Sequence, residues 1–174
     1  MIEFLIIIGL ILINGILSMS EMSIVSSRKS RLELEAKKGS ISASKALDLS
    51  NNPDNFLSTI QIGITLIGIL TGLFSGEAFA ADLAKYVEKI PYLGEYSYGI
   101  SETVIVVAVT YLTLIFGELV PKRIGLVKAE GVAKVIAQPM GLLSRVAYPF
   151  VWLLAKSTKC VVSLMNLQES QESK

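Results

Sequence analysis

Apolar positions in this chain come in long unbroken runs separated by short polar stretches, not in the alternation of a half-buried strand. The first run, Phe4 to Val25, is long enough to cross ~30 Å of hydrocarbon at about 1.5 Å per residue. A cleaved leader would need a basic N-terminal region, yet Glu3 stands there and the cations follow the run, at Arg28, Lys29, Arg31, Lys37, Lys38 and Lys45. The run therefore reads as a retained transmembrane helix, TM1, over about 4–25. A second run, Phe56 to Phe74, predicts TM2 over about 56–75, with Asp54 after Asn51-Asn52-Pro53 as its start. A third, Val104 to Val120, predicts TM3 over about 101–120.

The polar stretches orient these spans. Basic residues flank the end of TM1 and return at Lys122, Arg123, Lys128 and Lys134, whereas the segment between TM2 and TM3 carries Glu77, Asp82, Glu88, Glu95 and Glu102 against Lys85 and Lys89. The excess of cations on cytoplasmic loops predicts residues 26–55 and everything past 121 inside the cell, with the N-terminus outside, in a multi-pass protein of the plasma membrane. Ser30 to Leu49 has helical character and reads as a cytoplasmic helical hairpin insert. Residues 131–167 are apolar but punctuated by Lys134, Pro139, Arg145, Pro149, Lys156 and Lys159. That pattern suits an amphipathic juxtamembrane helix pair lying at the headgroups better than a clean span, with a fourth span over Met140 to Leu154 as the alternative. The polar tail, 168–174, reads as a linker. The expected fold class is thus an all-α integral membrane domain of three transmembrane helices, an insert and a belt.

Composition agrees, since 174 residues at 52% hydrophobic and a mean hydropathy of +0.58 carry more apolar surface than a soluble domain of this size hides. The lipid bilayer is the missing partner. A net charge of +1 and few aromatics argue against nucleic acid as a partner. The chain has no histidine and a single cysteine, Cys160, so the usual zinc and histidine-base chemistries and an intrachain disulfide are excluded. Hydrolase and metalloprotease motifs are also missing, and the chain is not expected to be an enzyme.

Candidate chemistry lies where polar groups enter the membrane, because an ionisable side chain there is costly. On TM1, Asn14, Ser18 and Glu21 stand at i, i+4 and i+7 and share one face. TM2 carries a narrow polar or small stripe of Gln61, Thr65, Gly68, Gly72 and Ser75. On TM3, Glu118 follows Gly117 and precedes Pro121 by three residues. Pro121 has no N–H to give the carbonyl of Gly117, four residues back, so that carbonyl is left for protein, water or an ion to satisfy. With TM1 and TM3 running the same way, Glu21 and Glu118 fall near the cytoplasmic ends, level with the first turns of TM2. Carboxylate, hydroxyl, amide and carbonyl oxygens without sulfur or imidazole suit hard cations such as Mg²⁺, Ca²⁺ or Na⁺. The bland readings are a GxxxG packing contact at Gly68 and Gly72, a Glu21 that snorkels to Arg28, and an interhelical hydrogen bond from Asn14.

The run Phe116-Gly117-Glu118-Leu119-Val120-Pro121-Lys122 resembles the end of the third helix in the CorC/cyclin-M magnesium transporters. Ser18 through Glu21 resembles their first helix, and Gln61 through Leu66 the start of their second. The resemblance implies a homodimer that carries Mg²⁺ out of the cytoplasm by alternating access, driven by Na⁺ influx. It implies metal ligation by the Ser18 hydroxyl, the Gly117 carbonyl and Glu118, with Glu21 lining the cavity. Many members have an asparagine just after the TM2 glycine; here Ile64 and Thr65 follow Gly63, and Thr65 takes that part. Cytoplasmic CBS domains, expected as partners in the full-length chain, are not encoded in these residues. A cation-sensing membrane scaffold that regulates a partner without flux is the alternative function.

Overall fold

The computed structural model describes residues 2–90 and 92–164, without the side chains of 76–78, and the segment 165–174, with the expected linker, lies outside the described residues. Every long element is a helix. In chain order these are α1 (Ile2–Ser26), α2 (Lys29–Lys37), α3 (Ile41–Asn51), α4 (Pro53–Val87), a 3₁₀ turn (Gly94–Tyr96), α5 (Ser97–Leu114), a π-helical turn (Ile115–Leu119), α6 (Val120–Val127) and α7 (Ala129–Leu164). Among the described residues three segments are long and apolar enough to cross a membrane: Ile2–Ser26, Pro53–Ser75 and Gly94–Val127.

The ends of these helices follow local chemistry. Pro53 begins α4, where its missing N–H costs nothing, and Asp54 sits in the first turn beside the positive end of the helix dipole. The helix runs on past the expected end at Ser75, through Gly76, to Val87. Ala80, Ala81, Leu83 and Ala84 are strong helix formers that carry it beyond the glycine. Hydroxyls inside the spans bond back to their own helix: Ser20 to the Ile16 carbonyl at 2.6 Å, Ser23 to Ser20 at 3.0 Å, Thr71 to Ile67 at 2.8 Å. A buried hydroxyl is thereby satisfied without a second helix.

Two contacts set the order of packing. The rings of Phe4 and Phe79 meet edge-on at 6.4 Å, while Leu17 lies over Gly63, so α1 and α4 are antiparallel. Ile11 backs onto Gly117, Gly15 onto Phe116 and Pro121, and Met19 and Met22 onto Gly125, so α1 and the α5–π–α6 strut are parallel. Glycine is required where these backbones nearly touch: a Cβ at Gly125 would sit 2.5 Å from the Met19 carbonyl oxygen, and one at Gly15 3.1 Å from that of Phe116. The core joins Leu17 and Ile24 of α1, Phe56 and Ile60 of α4, Leu32 and Ala46 of the insert, and Ala133, Ile136 and Met140 of α7. In contrast, α5 buries only Ser101, and Val104, Val107, Tyr111 and Leu114 are exposed, a face that lipid or another chain must cover.

Helices α2 and α3 form a hairpin around Gly39, whose φ of +93° is a left-handed conformation that residues with a Cβ rarely adopt. Ser40 caps α3 by accepting from the Ala43 N–H at 3.3 Å. A short bond from Lys37 at 2.8 Å holds the Glu33 carboxyl below its usual range. Lys134 on α7 reaches Glu35 at 2.6 Å and Arg31 reaches Glu130 at 3.8 Å, so α7 is tied to α2 at its start.

Where the prolines suggested a pair, α7 is one helix with Pro139 and Pro149 inside it. The carbonyls these prolines leave unpaired belong to Val135 and Arg145, both exposed, where solvent or headgroups satisfy them and the helix need not break. Its inner residues Ala129, Ala133, Ile136, Ala137 and Met140 recur every three or four positions, which makes it amphipathic.

Replacing Gly125 with alanine forces α6 away from the Met19 carbonyl. We expect a loss of about 1–3 kcal/mol in stability, the scale of an overpacked core, seen as a melting point several degrees lower in detergent. An unchanged melting point would show that the two helices are not in contact there.

Candidate cation site

The site begins with a backbone defect. Pro121 cannot donate, and the helix around Ile115–Leu119 widens by one residue so that the Val120 N–H reaches the Ile115 carbonyl, five back. The Gly117 carbonyl accepts instead from the Asn14 side-chain amide at 3.0 Å, a buried bond between elements 103 residues apart in sequence. Gly117 must lack a side chain, since a Cβ would stand 3.1 Å from Asn14 Nδ2 and 3.4 Å from the Ile11 carbonyl oxygen. The bond fixes the amide's orientation: its NH₂ faces Gly117, so Oδ1 is left as a buried acceptor without a partner.

Ser18 sits one turn further along α1, fully buried, and its hydroxyl also has no partner. That sets it apart from Ser20 and Ser23 on the same helix, which bond to backbone carbonyls. Thr113 adds a third buried oxygen without a partner, from the turn before the π-helical one. Buried polar groups left without partners cost about 1–3 kcal/mol each, so the oxygens of Asn14, Ser18 and Thr113 are open to a ligand or water.

Beyond Ser18 the two carboxylates converge. Glu118 Oε1 lies 2.8 Å from Lys122 Nζ, and Glu21 Oε2 lies 3.7 Å from the same nitrogen. All three side chains are about one-third exposed, at 38% for Glu118, 34% for Lys122 and 28% for Glu21. Glu21 is thus paired with Lys122, not Arg28, which is exposed just past the end of α1. Glu21 also lines an open-sided cavity of about 610 Å³ with Ser58 and Gln61 of α4 and Thr158 and Lys159 of α7.

Of the sequence candidates, the structure joins Glu21 to Glu118 through Lys122 and Asn14 to Gly117, while Ser18 is buried on α1 one turn after Asn14. Thr65 is not brought to them: it is exposed on α4, as are Gly68 and Gly72, around which nothing lies within 4 Å. Among the described residues no three Asp, Glu, Cys or His side chains are grouped to hold a metal, so a cation here would take two carboxylates and complete its shell with neutral oxygens or water. Lys122 was read in the sequence as a flanking cation and as the last residue of the Phe116–Lys122 run, not as a site residue. Its spacing of four from Glu118, with the acid on the N-terminal side, was the signal that places the two in contact.

A family model for the cyclin M transmembrane N-terminal domain matches residues 5–174. The chain belongs to this family. Among similar proteins, a UPF0053 protein of Synechocystis is 46% identical over 98% of this chain and 38% of its own length. One from Bacillus subtilis, YhdT, is 32% identical over 98% of the chain and 37% of its own length. The polyamine export protein of Escherichia coli is 36% identical over 95% of the chain and 37% of its own length. The chain thus spans a little over a third of the curated relatives it matches. With the three apolar helices, membership of the cyclin M family makes this a membrane protein.

Changing Asn14 to leucine keeps the size of the side chain but removes the donor to the Gly117 carbonyl. We expect about 1–3 kcal/mol of lost stability. Thermal melting of the variant beside wild type checks it, and a variant as stable as wild type would mean that the carbonyl finds another donor.

Proposed function

We propose that this domain exports a cation across the plasma membrane by alternating access, with Mg²⁺ as the cargo taken from the cytoplasmic side and Na⁺ influx as the driving force. The observation that carries this reading is the convergence of Glu21 and Glu118 on one positive charge, beside the buried, partnerless oxygens of Ser18 and Asn14. Two carboxylates match the charge of a divalent ion. Neutral oxygens can supply part of its shell, and because Mg²⁺ gives up water reluctantly it keeps some water on the open side. The Gly117 carbonyl becomes a ligand only if Asn14 releases it; otherwise Asn14 Oδ1 serves in its place. A homodimer would cover the exposed faces of α4 and α5, including Thr65, Gly68 and Gly72, and CBS domains of the full-length chain would sit on the cytoplasmic side.

A second reading is favoured by one feature. The carboxylates already hold a primary ammonium, that of Lys122, and polyamines carry the same group. The Escherichia coli relative is named a polyamine export protein, which makes an organic di- or polycation the rival cargo.

Reconstituting the full-length protein in liposomes separates the two. With a Mg²⁺-sensitive dye and an imposed Na⁺ gradient, wild type should move Mg²⁺, and Glu118→Gln should lower the flux at least about tenfold at matched folding. Movement of spermidine without Mg²⁺ would select the second reading. Binding of either cation without flux would leave a sensing scaffold in place of a transporter.

A further inference from the structure

We propose that Lys122 is a tethered competitor of the cargo: its ammonium fills the two-carboxylate site when the site is free, leaves when a cation binds, and returns to expel it. This rests on the proposed reading of Glu21 and Glu118 as the cation site and adds the residue that sets affinity and release.

The first argument is charge. Glu21 and Glu118 bring −2, and Lys122 reduces it to −1. A divalent ion entering beside the ammonium would meet a like charge within roughly 4 Å on the partly shielded side of a membrane protein, where repulsion exceeds its value in water. With the ammonium withdrawn, the −2 of the carboxylates is matched by one divalent ion. Loading is therefore an exchange of one cation for another, not an addition.

The second is geometry. Lys122 lies in the first turn of α6, just past the π-turn that carries Glu118, and its side chain is 34% exposed, so the flexible four-carbon stem has a way out to water. Its 2.8 Å bond to Glu118 is the shortest contact either site carboxylate makes with a cation, and Glu21, at 3.7 Å, is held more loosely. A merely structural lysine would be expected to neutralise one acid. This one bridges the two that would bind cargo.

The third is the lack of a substitute. Arg28 and Arg123 flank the region and Lys159 lines the cavity beside Glu21, yet none of the three forms an ion pair with Glu21 or Glu118 among the described residues. Removing Lys122 thus leaves both carboxylates to the cargo.

The test measures Mg²⁺ binding by calorimetry and flux in liposomes for full-length wild type, Lys122→Gln, Lys122→Arg and Glu118→Gln, each checked for folding by thermal melting. Lys122→Gln should bind Mg²⁺ about tenfold tighter or more, with a lower half-saturating concentration and a lower maximal rate, because release loses its competitor. Lys122→Arg, which keeps the charge, should bind within about threefold of wild type. If Lys122→Gln binds equally or more weakly while Glu118→Gln abolishes binding, the cation site stands and the competitor is overturned. If Glu118→Gln binds as wild type does, the site and the competitor fall together. Should Lys122→Gln not fold, labelling in wild type decides: Lys122 should react faster with an amine-directed ester in saturating Mg²⁺, and an unchanged rate overturns the proposal.

Discussion

The bond between the Asn14 amide and the Gly117 carbonyl is the constraint around which this domain is arranged. A proline near the end of an apolar span frees a carbonyl where lipid offers no donor, and such a group persists only if the fold supplies one. Supplying it from α1 has consequences along the whole seam. The amide must lie against the π-turn, which requires glycine at 117 and brings Gly15 against Phe116 and Pro121. The two helices then run parallel in close contact to Gly125. Glu21, about two turns past Asn14, is carried to the level of Glu118 and Lys122 by that register.

The same bond explains why oxygens collect here. An amide that gives its NH₂ to a carbonyl has its own oxygen left over, and Ser18 on the next turn is buried with no partner for its hydroxyl. Ser23 and Thr71, in contrast, return to their own helix and cost nothing in hydrogen bonding. Packing alone would be better served by alanine at 18, which leaves no polar atom to satisfy.

Much of this was legible in the sequence, for physical reasons that differ by element. The three spans follow from run length against bilayer thickness, which is why α1 departs by only two residues at its start and one at its end from the expected 4–25. The freed carbonyl follows from proline chemistry at a known offset, and Asn14 was already a candidate for an interhelical hydrogen bond. The far end of α4 was not legible, because a Ser-Gly pair reads as a stop while the alanines after it sustain the helix. Nor was the single α7: sequence shows where prolines stand but not that the carbonyls they free face outward. Lys122 as the partner of Glu21 was not legible: the bland reading offered Arg28, seven residues on, and only the α1–α6 register brings in a lysine a hundred residues away. Thr65, Gly68 and Gly72 face out of the chain, while Ser75 at the end of their stripe is buried.

The charge at the site bears on what kind of cation it can serve. A strongly hydrated divalent ion and an organic ammonium differ less in charge matching than in what they need around it. The first needs several oxygens at short range or retained water; the second needs acceptors about 2.8 Å away and apolar walls for its chain. The seam toward Asn14 and Ser18 offers the oxygens, while the open cavity beside Glu21 is bordered by Leu57, Ile62, Val151 and Leu154 and offers the walls. Glu21 lines the cavity, and Lys122 joins it to Glu118, the residue after the carbonyl that Asn14 holds. On the proposed reading, such a domain would change its cargo by altering the cavity alone, leaving the carboxylates and the π-turn that positions them untouched. That is a physical route by which one membrane fold could hold either kind of cation with the same pair of acids.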